Sequence, residues 1–133
     1  MSEEKFEFEA DRWRRQAAED LDVAEVLRDA EKYAQSCFYT QQASEKAMKS
    51  TAWKRGVDLW GHSLLKLREK LLEIGVDVES VQKKDLILLD RFYIPTCYPN
   101  GLPEIIPQEG FCRDDADQGI AAARRILAWA DES

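Results

Sequence analysis

Neither proline nor glycine occurs in residues 1–55. Because these two residues disfavour a helix interior most strongly, this stretch can remain helical over many turns. Over residues 9–28, apolar residues recur at steps of three and four, as on one face of an amphipathic helix. That face is made of Trp13, Ala17, Leu21, Ala24 and Leu27. A break near residues 29–32 lets a second helix, over about 33–54, fold back against the first.

The second helix is unusual because its candidate inner face is built mainly from small side chains. These residues are Tyr33, Cys37, Thr40, Ser44, Ala47 and Thr51. Tyr33 is the one large member. Small side chains let another backbone approach closely, so the pattern predicts a central position for this helix.

The rest of the chain also shows helical periodicity. Three further helices are predicted, over about 64–74, 79–93 and 113–130. Between the last two, a proline falls at every fourth position, which predicts a loop over 94–110. The sequence therefore predicts an all-α fold: an antiparallel four- to five-helix up-and-down bundle with a proline-rich loop before the last helix. We expect residues 1–133 to form a single domain.

Composition narrows the possible functions. The chain has 19 basic and 26 acidic residues, a net charge of −7, which disfavours non-specific binding to nucleic-acid phosphates as the main activity. The acidic start and the absence of a long apolar run predict a cytoplasmic protein without a membrane segment. Three cysteines without metal-ligand spacing and a single histidine predict no metal site, and no cofactor-binding motif occurs, so we expect no cofactor.

A local cationic run stands out against this acidic background: Lys46, Lys49, Lys54 and Arg55. Lys46 and Lys49 are three residues apart and therefore share a helix face, where an anion such as a phosphate can bind. The alternative is a solvated face on which Glu45 and Lys49 form an i,i+4 ion pair.

His62 is the only imidazole and follows Arg55 with six residues between them. The histidine can act as a general acid or base while the arginine stabilises a phosphate in the transition state. The alternative is structural, with His62 or Ser63 capping the helix that follows.

Aromatic residues and prolines are concentrated in residues 93–100, directly after Arg91. Tyr93 and Tyr98 beside this arginine can clamp a nucleotide base by stacking. The same residues can instead close the open end of the bundle.

Four blocks of the sequence together resemble the HEPN (higher eukaryote and prokaryote nucleotide-binding) domain family. Residues 13–24 resemble its first helix, and residues 42–50 (QASEKAMKS) are similar to its Gln-Ala-x-Glu-Lys signature. Residues 61–67 resemble the Gly-His-x-Leu start of a later helix. Residues 89–99 resemble its Leu-Asp-x-x-Tyr-Ile-Pro-x-Arg-Tyr-Pro segment, with Cys97 in place of the arginine.

The resemblance implies a helical bundle that forms a homodimer. It also implies a partnership with a minimal nucleotidyltransferase, as in a toxin–antitoxin-like pair, and binding of a nucleotide or RNA. The residues we assign to ligand binding on this basis are Gln42, Lys46, Lys49, Arg91, Tyr93 and Tyr98. Some branches of the family are metal-independent ribonucleases, which makes Arg55 and His62 candidate catalytic residues. A third possibility is a dimerisation module without a ligand.

Overall fold

The structure, a computed structural model, describes residues 2–93 and 104–133. Within these ranges the chain forms six helices and no strand. In chain order they are α1 (Glu3–Asp29), α2 (Tyr33–Trp53), α3 (Leu64–Glu73), α4 (Lys83–Asp90), α5 (Pro107–Gly110) and α6 (Arg113–Glu132). The prediction of an all-α bundle is confirmed, with one short helix more than expected.

Helix α1 begins six residues earlier than the apolar periodicity predicted. The Ser2 side chain caps it by accepting a hydrogen bond from the Lys5 backbone N–H at 3.4 Å. Glu3 and Glu4 occupy the first turn, where acidic side chains favour the positive end of the helix dipole. The helix therefore starts at a capping signal, ahead of the first residue of its apolar face.

Helix α2 is the centre of the bundle, as its small residues predicted. Fourteen of its 21 residues are buried, so it is covered on nearly every side. It packs tightly on α6 where Thr40 faces Gly119. A Cβ atom at Gly119 would lie only 2.7 Å from the Thr40 Oγ1 atom. Glycine at this position therefore allows the two helices to approach each other closely.

Ion pairs fix the direction of α1 against α6. Near the middle of α1, the Arg14 guanidinium contacts Asp131 at 2.6 Å, and near its end Arg28 contacts Asp117 at 3.2 Å. The middle of α1 thus lies beside the end of α6 and the end of α1 beside the start of α6, so the two helices run antiparallel.

The predicted fourth helix, 79–93, was too long, since α4 covers only residues 83–90. The apolar residues before it are buried in a turn instead. Val78 and Val81 are 2% and 4% exposed, and their carbonyls accept hydrogen bonds from the Arg68 guanidinium at 3.1 and 3.2 Å. Because Arg68 satisfies these carbonyls, the turn can be buried without helical hydrogen bonds.

The predicted loop over 94–110 was wrong at its end, where α5 forms a single helical turn. Pro107 occupies its first turn, a position that proline favours because no hydrogen-bond donor is needed there. The Ile106 backbone N–H donates to the Glu109 side chain at 3.2 Å. Residues 94–103 of the predicted loop lie outside the described residues. None of the helices in the described ranges has the length and apolar character that crossing a bilayer requires.

Candidate functional site

The connection from α2 to α3 brings the single histidine back to the middle of α2. Gly56, three residues after the end of α2, has a φ of 71°, and a Cβ atom there would lie 2.5 Å from the Phe6 ring. The chain then returns along α2 until the carbonyl of His62 accepts a hydrogen bond from Gln41 Nε2 at 2.9 Å. His62 is therefore positioned by a helix residue that precedes it by 21 positions.

A buried carboxylate holds the imidazole in place. Glu45 is 4% exposed, and its Oε1 atom lies 3.0 Å from His62 Nδ1. Its Oε2 atom accepts a hydrogen bond from Lys49 Nζ at 3.2 Å. The carboxylate thus connects a buried ammonium group with an imidazole whose side chain is 57% exposed. With Nδ1 held by a carboxylate, the ring has a fixed orientation.

Tyr93 completes this site from the end of α4. Its ring is stacked on the imidazole of His62, with centroids 4.8 Å apart and an interplanar angle of 17°. Phe38 of α2 extends this aromatic group, with its ring centroid 6.1 Å from that of Tyr93. Arg91, two residues before Tyr93, is exposed at the C-terminal cap of α4. We call Glu45, Lys49, His62 and Tyr93 the histidine site.

Asp90 attaches the end of α4 to the start of α3. Its carboxylate accepts hydrogen bonds from the backbone N–H groups of Leu64 and Leu65 at 2.7 and 3.3 Å, and from the Ser63 hydroxyl at 3.1 Å. Ser63 is the N-cap of α3, as predicted. Because both ends are fixed by one carboxylate, His62 and Tyr93 are held side by side.

The predicted ligand-binding residues of α2 are partnered within the chain. Lys46 forms an ion pair with the buried Asp20 of α1. The expected Glu45–Lys49 pair is present, but it is buried instead of solvated. The Gln42 side chain donates to Gln41 Oε1 at 2.8 Å. Gln42 and Lys49 therefore lie in a network that also holds His62, whereas Lys46 is held by α1. Tyr98 and Cys97 lie outside the described residues.

A groove between α1 and α2 borders the histidine site. It has a volume of about 530 Å³ and is lined by Glu9, Arg12, Trp13, Arg15, Gln16 and Lys46. Lys49 connects it with the histidine site, because its ammonium lies 5.9 Å from the centroid of the Trp13 ring. We call this region the α1–α2 groove.

Within one chain, Arg55 is placed apart from His62. Arg55 follows the end of α2. His62 contacts Glu45, which precedes Arg55 by ten residues. The eight helical steps from Glu45 to the end of α2 at Trp53 alone span about 12 Å. Arg55 lines a different cleft of about 520 Å³, whose other residues include Asp77 and Trp129. The proposed catalytic pair of Arg55 and His62 is thus not assembled at the histidine site of a single chain.

Sequence reasoning missed how α2 supports the histidine. Gln41, Glu45 and Lys49 recur at steps of four on a helix that was itself predicted to be central. Long polar side chains at this spacing on a buried helix indicate a buried polar network. The sequence therefore contained a signal for the network. It contained no signal for the contact with His62, because that contact depends on the path of the irregular connection between α2 and α3.

Comparison with known proteins identifies the family of this chain. The family model for the HEPN domain matches residues 10–133. The chain belongs to the HEPN family. A crystal structure of a Thermus thermophilus protein is 37% identical, with a TM-score of 0.87 over 92% of this chain and 96% of that one. An archaeal HEPN homologue is 30% identical, with a TM-score of 0.74 over 92% and 95%.

A third structure, a HEPN domain protein from Thermotoga maritima, shares the fold at 24% identity. Its TM-score is 0.70 over 91% of this chain and 95% of that chain. None of the curated proteins compared with this HEPN domain matches it significantly.

Proposed function

We propose that this HEPN domain binds a nucleotide at the histidine site and acts as a regulatory module beside a minimal nucleotidyltransferase. The observation that carries the proposal is the stack of Tyr93 on the half-exposed His62 ring. An aromatic surface of this kind is what a nucleotide base stacks on, largely independently of base identity. The exposed Arg91, two residues before Tyr93, supplies a cation for a phosphate group.

The binding part of the proposal is tested by titrating the protein with ATP and AMP. We expect His62→Ala to weaken binding by roughly tenfold, since one base–aromatic contact contributes about 1–3 kcal/mol. Trp60→Ala is the matched control. Trp60 is two residues away and 78% exposed, but it makes no part of the histidine site. Equal affinities for wild type and His62→Ala would refute the assignment.

The partner part of the proposal follows from the family. We propose that the domain pairs with a second copy of itself and with a nucleotidyltransferase, as a toxin–antitoxin-like pair. Coexpression with a small nucleotidyltransferase from the neighbouring reading frame tests this directly. A stable complex of both proteins on size exclusion with light scattering is expected, and a monomer that never co-purifies argues against it.

A metal-independent ribonuclease is the second candidate, and the Glu45–His62 contact favours it. A carboxylate on Nδ1 orients an imidazole, which suits a general base for a ribose 2′-hydroxyl. Single-turnover cleavage of RNA by wild type, His62→Ala and Arg55→Gln decides between the candidates. A ribonuclease of this kind loses cleavage in both variants, whereas equal rates in all three proteins exclude it.

A further inference from the structure

Helix α1 has one continuous exposed face on the side away from the bundle. Residues at steps of four and three share a face of a helix, and six exposed residues of α1 follow this spacing. They are Phe8, Arg12, Arg15, Glu19, Asp22 and Val26. We call these six residues the outer face of α1.

The charges of the outer face change sign at its middle. The first half carries two cations, Arg12 and Arg15, and the second half carries two anions, Glu19 and Asp22. Each cation precedes Ala17 by as many residues as one anion follows it. Arg12 thus corresponds to Asp22, and Arg15 corresponds to Glu19.

The apolar ends of the outer face obey the same symmetry. Phe8 and Val26 are 61% and 67% exposed and lie at equal distances from Ala17 along the helix. They are separated by five full helical turns, or about 27 Å, and therefore point to the same side of α1. Lys5 and Asp29, which are also exposed, extend the pattern by one more pair of opposite charges.

A surface with this order of residues is complementary to itself in one direction only. A twofold axis that crosses α1 at the level of Ala17 places each arginine beside an acidic residue of a second copy, and each Phe8 beside a Val26. A parallel arrangement would instead place arginine against arginine and carboxylate against carboxylate. The charges therefore favour an antiparallel pair and oppose a parallel one.

The charged groups of the outer face are available to a second copy. Its two anions form no ion pair or side-chain hydrogen bond with the residues that the structure describes. Arg12 contacts Glu9 through Nη1, and Arg15 contacts Asp11 through Nε. Both arginines are more than half exposed, and such pairs contribute little to stability. The other guanidinium nitrogens can donate to a second carboxylate.

We propose that a second copy of this chain docks on the outer face of α1 in antiparallel orientation, with Phe8 of each copy against Val26 of the other. The two arginines of each copy then face the two acidic residues of the other. This inference rests on the proposed pairing of two copies and adds the surface, the direction and the register. Because the contact is a strip one helix wide, smaller than a standard interface of about 800 Å² per partner, we expect a reversible, salt-sensitive dimer.

Sedimentation equilibrium of the full chain at micromolar concentrations tests the inference with two variants of opposite charge. Arg12→Glu/Arg15→Glu makes the charges of the outer face entirely acidic, and Glu19→Arg/Asp22→Arg makes them entirely basic. We expect each variant alone to self-associate roughly a hundredfold more weakly than wild type, because its facing charges repel. An equimolar mixture should restore a dimer with one copy of each variant, since every facing pair is then of opposite charge.

Arg113→Glu/Arg124→Glu is the matched control. These arginines of α6 are 56% and 57% exposed, close to the 58% of Arg12, and the change in net charge equals that of the acidic variant. If wild type is a dimer and the outer-face variants associate like this control, the surface is overturned while the proposed pairing stands. If both variants are monomers and their mixture stays monomeric, the antiparallel register is overturned. If wild type itself is a monomer, the inference and the proposed pairing both fail.

Discussion

Replacing Glu45 by alanine tests the electrostatics of the histidine site most directly. Glu45 and Lys49 are 4% and 8% exposed, and Glu45 Oε2 lies 3.2 Å from Lys49 Nζ. Removing the carboxylate leaves a buried ammonium without its counter-charge. Breaking a buried pair from one side costs about 3–5 kcal/mol, a large share of the roughly 5–15 kcal/mol that stabilises a domain. We therefore expect the free energy of unfolding of Glu45→Ala to be about 3–5 kcal/mol lower than that of the wild type.

Urea unfolding followed by circular dichroism measures this effect. A loss of about 3–5 kcal/mol corresponds to a midpoint lowered by roughly 2 M, given urea dependences of about 1–3 kcal/mol per molar for small proteins. The control is Glu45→Gln combined with Lys49→Met. It removes both charges, retains an acceptor for His62 and preserves side-chain volume. We expect this double variant to be more stable than Glu45→Ala, because neither charge is then left alone.

Two results would refute the reasoning. A loss below about 1 kcal/mol in Glu45→Ala would mean that the Lys49 ammonium reaches water and that the pair behaves like a surface ion pair. A double variant as unstable as Glu45→Ala would mean that lost packing, and not an unpaired charge, causes the destabilisation.

Three further variants test the frame around the site. Asp90→Ala removes the acceptor of the Leu64 N–H and should lower stability by about 1–2 kcal/mol in thermal unfolding; an unchanged Tm would contradict the capping role. Gly119→Ala should destabilise the fold by about 1–3 kcal/mol through overpacking, despite a gain of up to about 1 kcal/mol in helix propensity, and adding Thr40→Ala should restore part of the loss. Burial raises the pKa of the Cys37 thiol to about 12, so a variant retaining only Cys37 should resist alkylation until urea unfolds it. The thiol is neutral in both states below its ordinary pKa of 9.0, so Cys37 should lower stability only as the pH rises above that value, which alkaline unfolding measures against Cys37→Ala.

The helical frame could be predicted because local patterns determine most of it. The small face of α2 indicated its central position, and Gly56 and Gly75 marked helix ends where the chain has a positive φ. The start of α1 was placed too late because the apolar face was given more weight than the Ser2 cap. The start of α4 was placed too early because Val81 is buried in a turn, and apolar periodicity alone cannot distinguish a buried turn from a helix.

The candidate site could be predicted only in its components. His62, Lys49 and Tyr93 were selected for their chemistry, but the contact of His62 with Glu45 joins residues 17 positions apart along the chain. The stack of Tyr93 on His62 depends on Asp90 fixing the start of α3, which no local pattern encodes. The separation of Arg55 from His62 arises in the same way, since the connection after α2 folds back instead of extending the helix.

Lys49 has one consequence for any attempt to redesign this protein. Its ammonium is shared between the carboxylate that orients the imidazole and the indole that lines the neighbouring groove. A substitution of Lys49 therefore alters both the histidine site and the α1–α2 groove. Substitutions meant to change only the α1–α2 groove or only the histidine site therefore have to begin at exposed residues, Arg12 for the groove and Arg91 for the histidine site.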